Sequence, residues 1–166
     1  MSQTDTIYLS VADASAQIES GALSPLDLTR AILDRIEATD GAINSYVLVM
    51  RESALAEAAA AEARAKAGKR LGPLDGIPIG VKDLYDTGGA VTTGGTGAYR
   101  FRVPAQDSTA VAKLREAGAV IIGKTNTHEL AFGGTTNNIH YGATHNPWRL
   151  DRVPGGLVIA NILACG

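Results

Sequence analysis

Two short apolar runs bracket one amphipathic stretch in the middle of the chain, and that order limits the fold more than any other feature of its 166 residues. The first run is I77-P-I-G-V81, which reads as a buried strand with prolines at its entry. The second is A119-V-I-I-G123, again a strand. Between them, Q106-D-S-T-A-V-A-K-L-R-E-A-G118 reads as a helix capped by Asp107 or Ser108 and stopped by Gly118. A helix that feeds an apolar strand fits a crossover onto a mostly parallel sheet. V91-T-T-G94 reads as a further short strand in the same layer.

The first seventy residues have a different character. S10-V-A-D-A-S-A-Q-I-E-S-G21 is a short helix ending on glycine. In S24-P-L-D-L-T-R-A-I-L-D-R-I-E-A38, Ser24 suits an N-cap and Pro25 the first helical position. Leu28, Ile32, Leu33 and Ile36 then share one face. Y46-V-L-V-M50 is a brief β-like run. Arg51 to Ala67 is alanine-rich, with Glu62 and Lys66 spaced for an i,i+4 pair and Gly68 as its stop; it reads as a solvated helix lying on the domain. At L71-G-P-L-D-G76 glycine and proline rise and helical periodicity ends. No linker and no repeat divides the chain, so it reads as one domain's worth of α/β protein, with helices at the N-terminus and a sheet flanked by helices after them.

Bulk properties exclude several classes of partner. A net charge of −2 gives no electrostatic reason for direct nucleic-acid or membrane binding. No apolar run approaches the ~20 residues of a membrane span. Residues 1–6 lack the basic and apolar segments of a signal peptide. Cys165 stands alone, so no intrachain disulfide forms. A cytoplasmic setting fits these features.

Three patterns invite chemistry. G118-A-V-I-I-G123-K124-T125 matches the P-loop spacing, but a phosphate cradle needs a loop between strand and helix. Here the intervening residues are strand, and their amides belong to the sheet. His128, His140 and His145 match no metal-ligand spacing and read as hydrogen-bonded loop histidines, so no metal site is expected. Lys82, directly after I77-P-I-G-V81, has two readings. It emerges at a strand end and pairs with Asp83 or Asp86 in solvent, or it is desolvated, with a lowered pKa that suits a general base. A base needs a nucleophile to activate. After Lys82 the only serine is Ser108, which helix capping explains, and the only thiol is Cys165 near the terminus.

The stretch from Gly72 to Gly156 resembles the amidase signature family. The matching residues are G72-P-L-D-G-I-P-I-G-V-K-D-L-Y-D-T87, T92-T-G-G95, V111-A-K-L-R-E-A-G-A-V-I-I-G-K-T-N126, H128-E-L-A-F-G-G-T-T-N-N138, Y141-G-A-T-H-N-P-W148 and R152-V-P-G-G156. The helical segment before them is similar as well, so the likeness runs from about Ser10 to Gly156. The resemblance implies an incomplete amidase domain: a helical part at 1–70, the start of an α/β core with a mixed, mostly parallel sheet at 71–156, and a divergent tail at 157–166. It implies amide hydrolysis through a Ser–Ser–Lys triad without cofactor or metal. By position, Lys82 becomes the base, and Gly133, Gly134, Thr135 and Thr136 line the substrate. The bridging serine would fall on Leu157, and the nucleophile would lie further on. The tail departs abruptly from the family pattern, as truncation or a shifted reading frame would make it.

The resemblance therefore implies a small-molecule amide substrate but no turnover by this chain alone. Family alternatives are the A subunit of a glutamyl-tRNA amidotransferase working with partner subunits, a homodimeric amidase, or a non-catalytic fragment. Lacking later strands, the sheet edge and helix faces should be exposed and the product poorly soluble.

Overall fold

Serine caps start the helical part. Ser10 Oγ accepts from the Asp13 N–H at 3.1 Å and opens α1 (Val11–Glu19). Ser24 Oγ does the same for the Asp27 N–H at 3.1 Å and, with Pro25 in the first turn, opens α2 (Pro25–Ile43). The computed structural model describes residues 6–155 and the backbone of residues 159–160. Helix α2 runs past Ala38 to Ile43 and ends where Asn44 turns left-handed at φ 56°. Its Leu28, Ile32, Leu33 and Ile36 face is buried, as the periodicity predicts.

The alanine-rich helix α3 (Arg51–Lys66) is more than a solvated helix. Ala54, Ala58 and Ala61 are fully buried, and their small side chains let α3 lie close against α2 and the sheet. Its outer face carries the expected Glu62–Lys66 pair at 2.9 Å, and Glu62 also accepts from Ser24 Oγ at 2.5 Å. Glu57 accepts from the Ile121 N–H at 2.9 Å and pairs with Arg115, tying α3 to the sheet and to the crossover helix.

The crossover expected from the sequence is present. Strand β2 (Pro78–Lys82) leads through α4 (Thr109–Glu116) to β3 (Val120–Thr125), and the two strands pair in parallel. Strand β1 (Tyr46–Val49) pairs antiparallel with β3 on its other side. A hairpin of β4 (Asn137–Asn138) and β5 (Gly142–Ala143) stands apart. A last pair, β6 (Ile159–Ala160), runs antiparallel along Val81 and Gly80 of β2. The strand order is β1–β3–β2–β6. The α/β class and the mixed sheet flanked by helices are as expected; the parallel share is smaller, with β2–β3 the only parallel pair among the described residues. Gly123 has a packing reason: a Cβ there would drive into the Leu48 carbonyl and approach the Tyr46 ring at 2.8 Å, so glycine lets β1 close onto β3.

Four expectations change. V91-T-T-G94 is not a strand; Thr92 and Thr93 instead turn inward as buried hydrogen-bonding groups. Ser108 occupies the N-cap of α4, but its buried hydroxyl makes no cap bond, while Asp107 accepts from the Gly88 N–H at 2.7 Å and pairs with Arg115 at 3.1 Å. The helix faces are not the exposed apolar surface: that surface is on loops, at Phe101, Phe132, Ile139 and Trp148. The β2 edge is not left wholly open either, since β6 pairs along part of it. No helix among the described residues is long and apolar enough to cross a membrane.

Candidate functional site

Lys82 is the last residue of β2, half-buried, and the chain turns immediately after it. The Asp83 N–H still donates to the Thr125 carbonyl at 3.0 Å, and the Asp83 carbonyl accepts from the Gly94 N–H at 2.9 Å. The end of the strand is thus held on both sides. The register pairs Lys82 with Thr125 and Thr125 with Tyr46, so these three side chains leave one face of the sheet. Val81 pairs with Lys124, so Lys124 leaves the other face.

Neither carboxylate expected to pair with Lys82 does so. The Asp83 side chain is buried on the Lys124 side, where Oδ2 accepts from the Thr93 N–H at 3.0 Å and from the Thr93 hydroxyl. Asp86 is held by both guanidinium nitrogens of Arg102 at 2.6 and 2.7 Å, which keeps its carboxyl below the usual carboxylate range. Among the described residues the Lys82 ammonium has no hydrogen-bond or ion-pair partner. The solvated-pair reading of Lys82 therefore gives way to an amine at a strand end, apart from any carboxylate.

The residue that sequence reading missed is Lys124. It is fully buried, donates to the Tyr85 carbonyl and to Thr92 Oγ1 at 2.7 Å each, and lies 3.5 Å from Asp83 Oδ1. Burial pushes its pKa down, and the Asp83 carboxylate works against that. Its one ammonium gathers residues 83, 85 and 92, the two arms of the loop that follows Lys82. The sequence signal was the apolar run itself: β3 continues two residues beyond Gly123, which places Lys124 inside the strand rather than after it. The same continuation removes the P-loop match, because residues 120–125 are strand.

That loop holds the next one. The Gly94 carbonyl accepts from the Leu130 N–H at 2.7 Å, and Asn138 Nδ2 donates to the carbonyls of Gly95 at 2.7 Å and Thr127 at 2.8 Å. Between these ties lie Gly133, Gly134, Thr135 and Thr136. A Cβ on Gly133 would meet the His128 ring at 2.7 Å, and Thr135 Oγ1 lies 3.5 Å from His128 Nδ1. Thr136 is buried and left-handed at φ 53°, with its carbonyl accepting from the Thr144 N–H at 3.1 Å. Leu130 and Ala131 are also left-handed, at 49° and 57°. Three strained non-glycine residues in one loop mark a backbone held by its surroundings. The loop is thereby fastened, through Gly94, to the turn after Lys82.

The remaining candidates separate from this cluster. His140 Nε2 lies 3.1 Å from Glu129 and His145 Nδ1 lies 2.8 Å from the Leu150 carbonyl. Among the described residues no three His, Cys, Asp or Glu side chains are grouped to hold a metal ion. A cavity of about 250 Å³ opens between α2 and residues 144–148, lined by Ile36, Tyr46 and Trp148 among others, and Lys82 is not part of its wall. Leu157 and Cys165 lie outside the described residues.

Known proteins resemble this chain in sequence and in fold. The profile of the family described as Amidase matches residues 27–156. The A subunit of the glutamyl-tRNA(Gln) amidotransferase of Acidothermus cellulolyticus is 44% identical over 153 residues, which are 92% of this chain and 30% of that protein. The native peptide amidase of Stenotrophomonas maltophilia superposes with a TM-score of 0.80 at 34% identity, over 92% of this chain and 32% of that one. A bacterial aryl acylamidase of the amidase signature family superposes with a TM-score of 0.83 at 31% identity, over 90% and 31% of the two chains. The chain thus spans about a third of the length of each relative it matches.

Proposed function

The chain belongs to the amidase family, and from that premise we propose that Lys82 is the base of a Ser–Ser–Lys site that hydrolyses carboxylic amides to acid and ammonia. The observation that carries this reading is the isolation of the Lys82 amine. Both neighbouring carboxylates are committed elsewhere, Asp83 to Lys124 and Thr93, Asp86 to Arg102. A carboxylate beside the amine would favour the ammonium and leave less of the neutral form to take a proton.

In the proposed reaction the neutral amine takes a proton through a bridging serine as a second serine attacks the amide carbonyl. Backbone amides hold the developing oxyanion, often the largest single contribution to such catalysis. Ammonia leaves, and water releases the acid. The Gly133–Thr136 loop, tied to the Lys82 turn through Gly94, lines the small-molecule amide in this reading. No step calls for a metal or a cofactor. The bridging position falls on Leu157, which has no hydroxyl to pass a proton. The 166 residues by themselves are therefore expected to release no ammonia from acetamide, benzamide or glutamine. Turnover that Lys82→Ala abolishes would overturn that expectation. A chimera of residues 1–155 with the remaining part of the Acidothermus relative tests the base. Activity should fall by about a thousandfold or more in Lys82→Ala, and an unchanged rate would remove Lys82 from the chemistry.

The 44% identity to the A subunit of an amidotransferase favours a second reading, in which the ammonia comes from glutamine and partner subunits receive it. Ammonia release from glutamine but not from acetamide by the chimera would select it. A homodimeric amidase is the counterpart, and both readings place the protein in the cytoplasm.

A further inference from the structure

We propose that Thr125 is a positioning residue for Lys82: its hydroxyl accepts a hydrogen bond from the Lys82 amine and fixes where that amine sits at the end of β2. The inference rests on the reading of Lys82 as the base, and it concerns a residue which that reading does not use.

Two orphaned groups stand side by side. Thr125 is buried, with 1% of its surface exposed, and its Oγ1 has no hydrogen-bond partner. Buried hydroxyls are nearly always bonded, so an unpaired one needs a cause. On the same face, one strand over, Thr125 is the direct register partner of Lys82. Neighbouring strands lie about 4.8 Å apart, within easy reach of a lysine stem. The Lys82 ammonium brings three donors, and among the described residues none of them is used. One group lacks a donor and the other lacks an acceptor.

The alternatives around them are taken. The Thr125 carbonyl already accepts from the Asp83 N–H at 3.0 Å. Asp83 serves Lys124 and Thr93 on the opposite face, and Asp86 serves Arg102. On the far side of Thr125, Tyr46 closes the row. Threonine is β-branched, so its hydroxyl has few positions to choose from. Lysine is the reverse, a flexible four-carbon stem with a point charge at its tip. Tethering that tip to a stiff neighbour removes freedom which a proton relay would otherwise have to remove during reaction. In the neutral amine the bond uses one N–H and leaves the lone pair for the relay.

The full chain tests this without catalysis. Its lysines are acylated with a small amine-reactive reagent at one fixed pH, and the rate at each is read by peptide mass spectrometry. Exposed Lys66, Lys69 and Lys113 serve as internal standards. Thr125→Val keeps the shape and removes the acceptor. The amine loses the partner that tethers it, and its labelling should accelerate by about three- to tenfold relative to the standards. Thr125→Ser, which restores the hydroxyl, should return the rate to that of the native chain. A Lys82 rate unchanged in a folded Thr125→Val variant overturns the proposal. If circular dichroism shows that variant unfolded, nuclear magnetic resonance of the native chain decides. Cross-relaxation between the Lys82 ammonium and the Thr125 side chain supports the contact, and its absence overturns it. Labelling reports the contact whether or not Lys82 is a base, whereas the chimera reports the base, so the two readings fail separately.

Discussion

Lys82 ends β2, Lys124 lies one residue before the end of the neighbouring β3, and the two meet opposite fates. Lys124 is fully buried, donates to a carbonyl and a hydroxyl, and faces a carboxylate. Lys82 sits one residue along the ladder, on the other face, half-buried and without such partners among the described residues. The residue type is the same and the register differs by one. In a pleated strand that single step exchanges one environment for another. The buried lysine is a fastener, holding the loop after β2; the half-free one is available for chemistry. The comparison separates a lysine that builds the site from the lysine that would act in it.

The contrast can be broken most directly at Lys124. Lys124→Met leaves Asp83 buried without its cation and should cost about 3–5 kcal/mol of folding stability by chemical denaturation. Adding Asp83→Leu should recover most of the loss; a double variant as unstable as the single one would show that the charge pair is not the cause. Lys124 also sets an alkaline signature. Its folded pKa is pushed down by burial, so between that value and the ordinary lysine value near 10.4 the unfolded chain binds more protons. Native stability should therefore rise with pH through that window, and the rise should vanish in Lys124→Met.

A second buried pair shows whether such dependence is general. Asp75 is buried against Arg64, whose guanidinium donates at 2.5 and 3.0 Å. Burial opposes the charge on Asp75, but Arg64, the Leu71 N–H and Arg70 together hold its carboxyl below the usual range. Its stabilising contribution is complete above the ordinary carboxylate pKa and is lost as pH falls through the lower folded value. Arg64→Ala should cost about 2 kcal/mol at neutral pH and flatten the acid limb of a stability–pH curve. A native-like acid limb in that variant would mean that another group carries it.

Smaller effects sharpen the contrast from the other side. Ala58→Leu should cost about 1–3 kcal/mol, because α3 has no room at its buried face. Lys82→Ala should change stability by less than about 0.5 kcal/mol, although it removes the proposed base. A loss comparable to that of Lys124→Met would erase the distinction between the two lysines.

Much of the scaffold was legible in the chain. Ser10, Ser24 and Pro25 start their helices where the capping rules put them, and the Leu28–Ile36 stripe is buried. The β2–α4–β3 crossover followed from two apolar runs and the helix between them. Misreadings arose where local pattern and long-range contact disagree. V91-T-T-G94 has strand-forming residues, but Thr92 and Thr93 are taken by Lys124 and Asp83 instead of a neighbouring strand. Ser108 has the right type and position for a cap, yet its hydroxyl makes no cap bond. The alanine run looked solvated because alanine carries no strong periodic signal, and only α2 and the sheet show which of its faces is covered.

By itself the chain determined where the capped helices start, the two apolar runs that become β2 and β3, and the motif order that marks its family, because these depend on neighbours a few residues apart. It could not determine which lysine would be buried. The partners of Lys124 lie 32 residues away at Thr92 and 39 away at Tyr85, and its carboxylate is further off at Asp83. Only the pairing of β2 with β3 brings them together. The same register sets Lys82 beside Thr125 and away from both nearby carboxylates, a division between the two faces of a sheet that spacing along one strand does not contain.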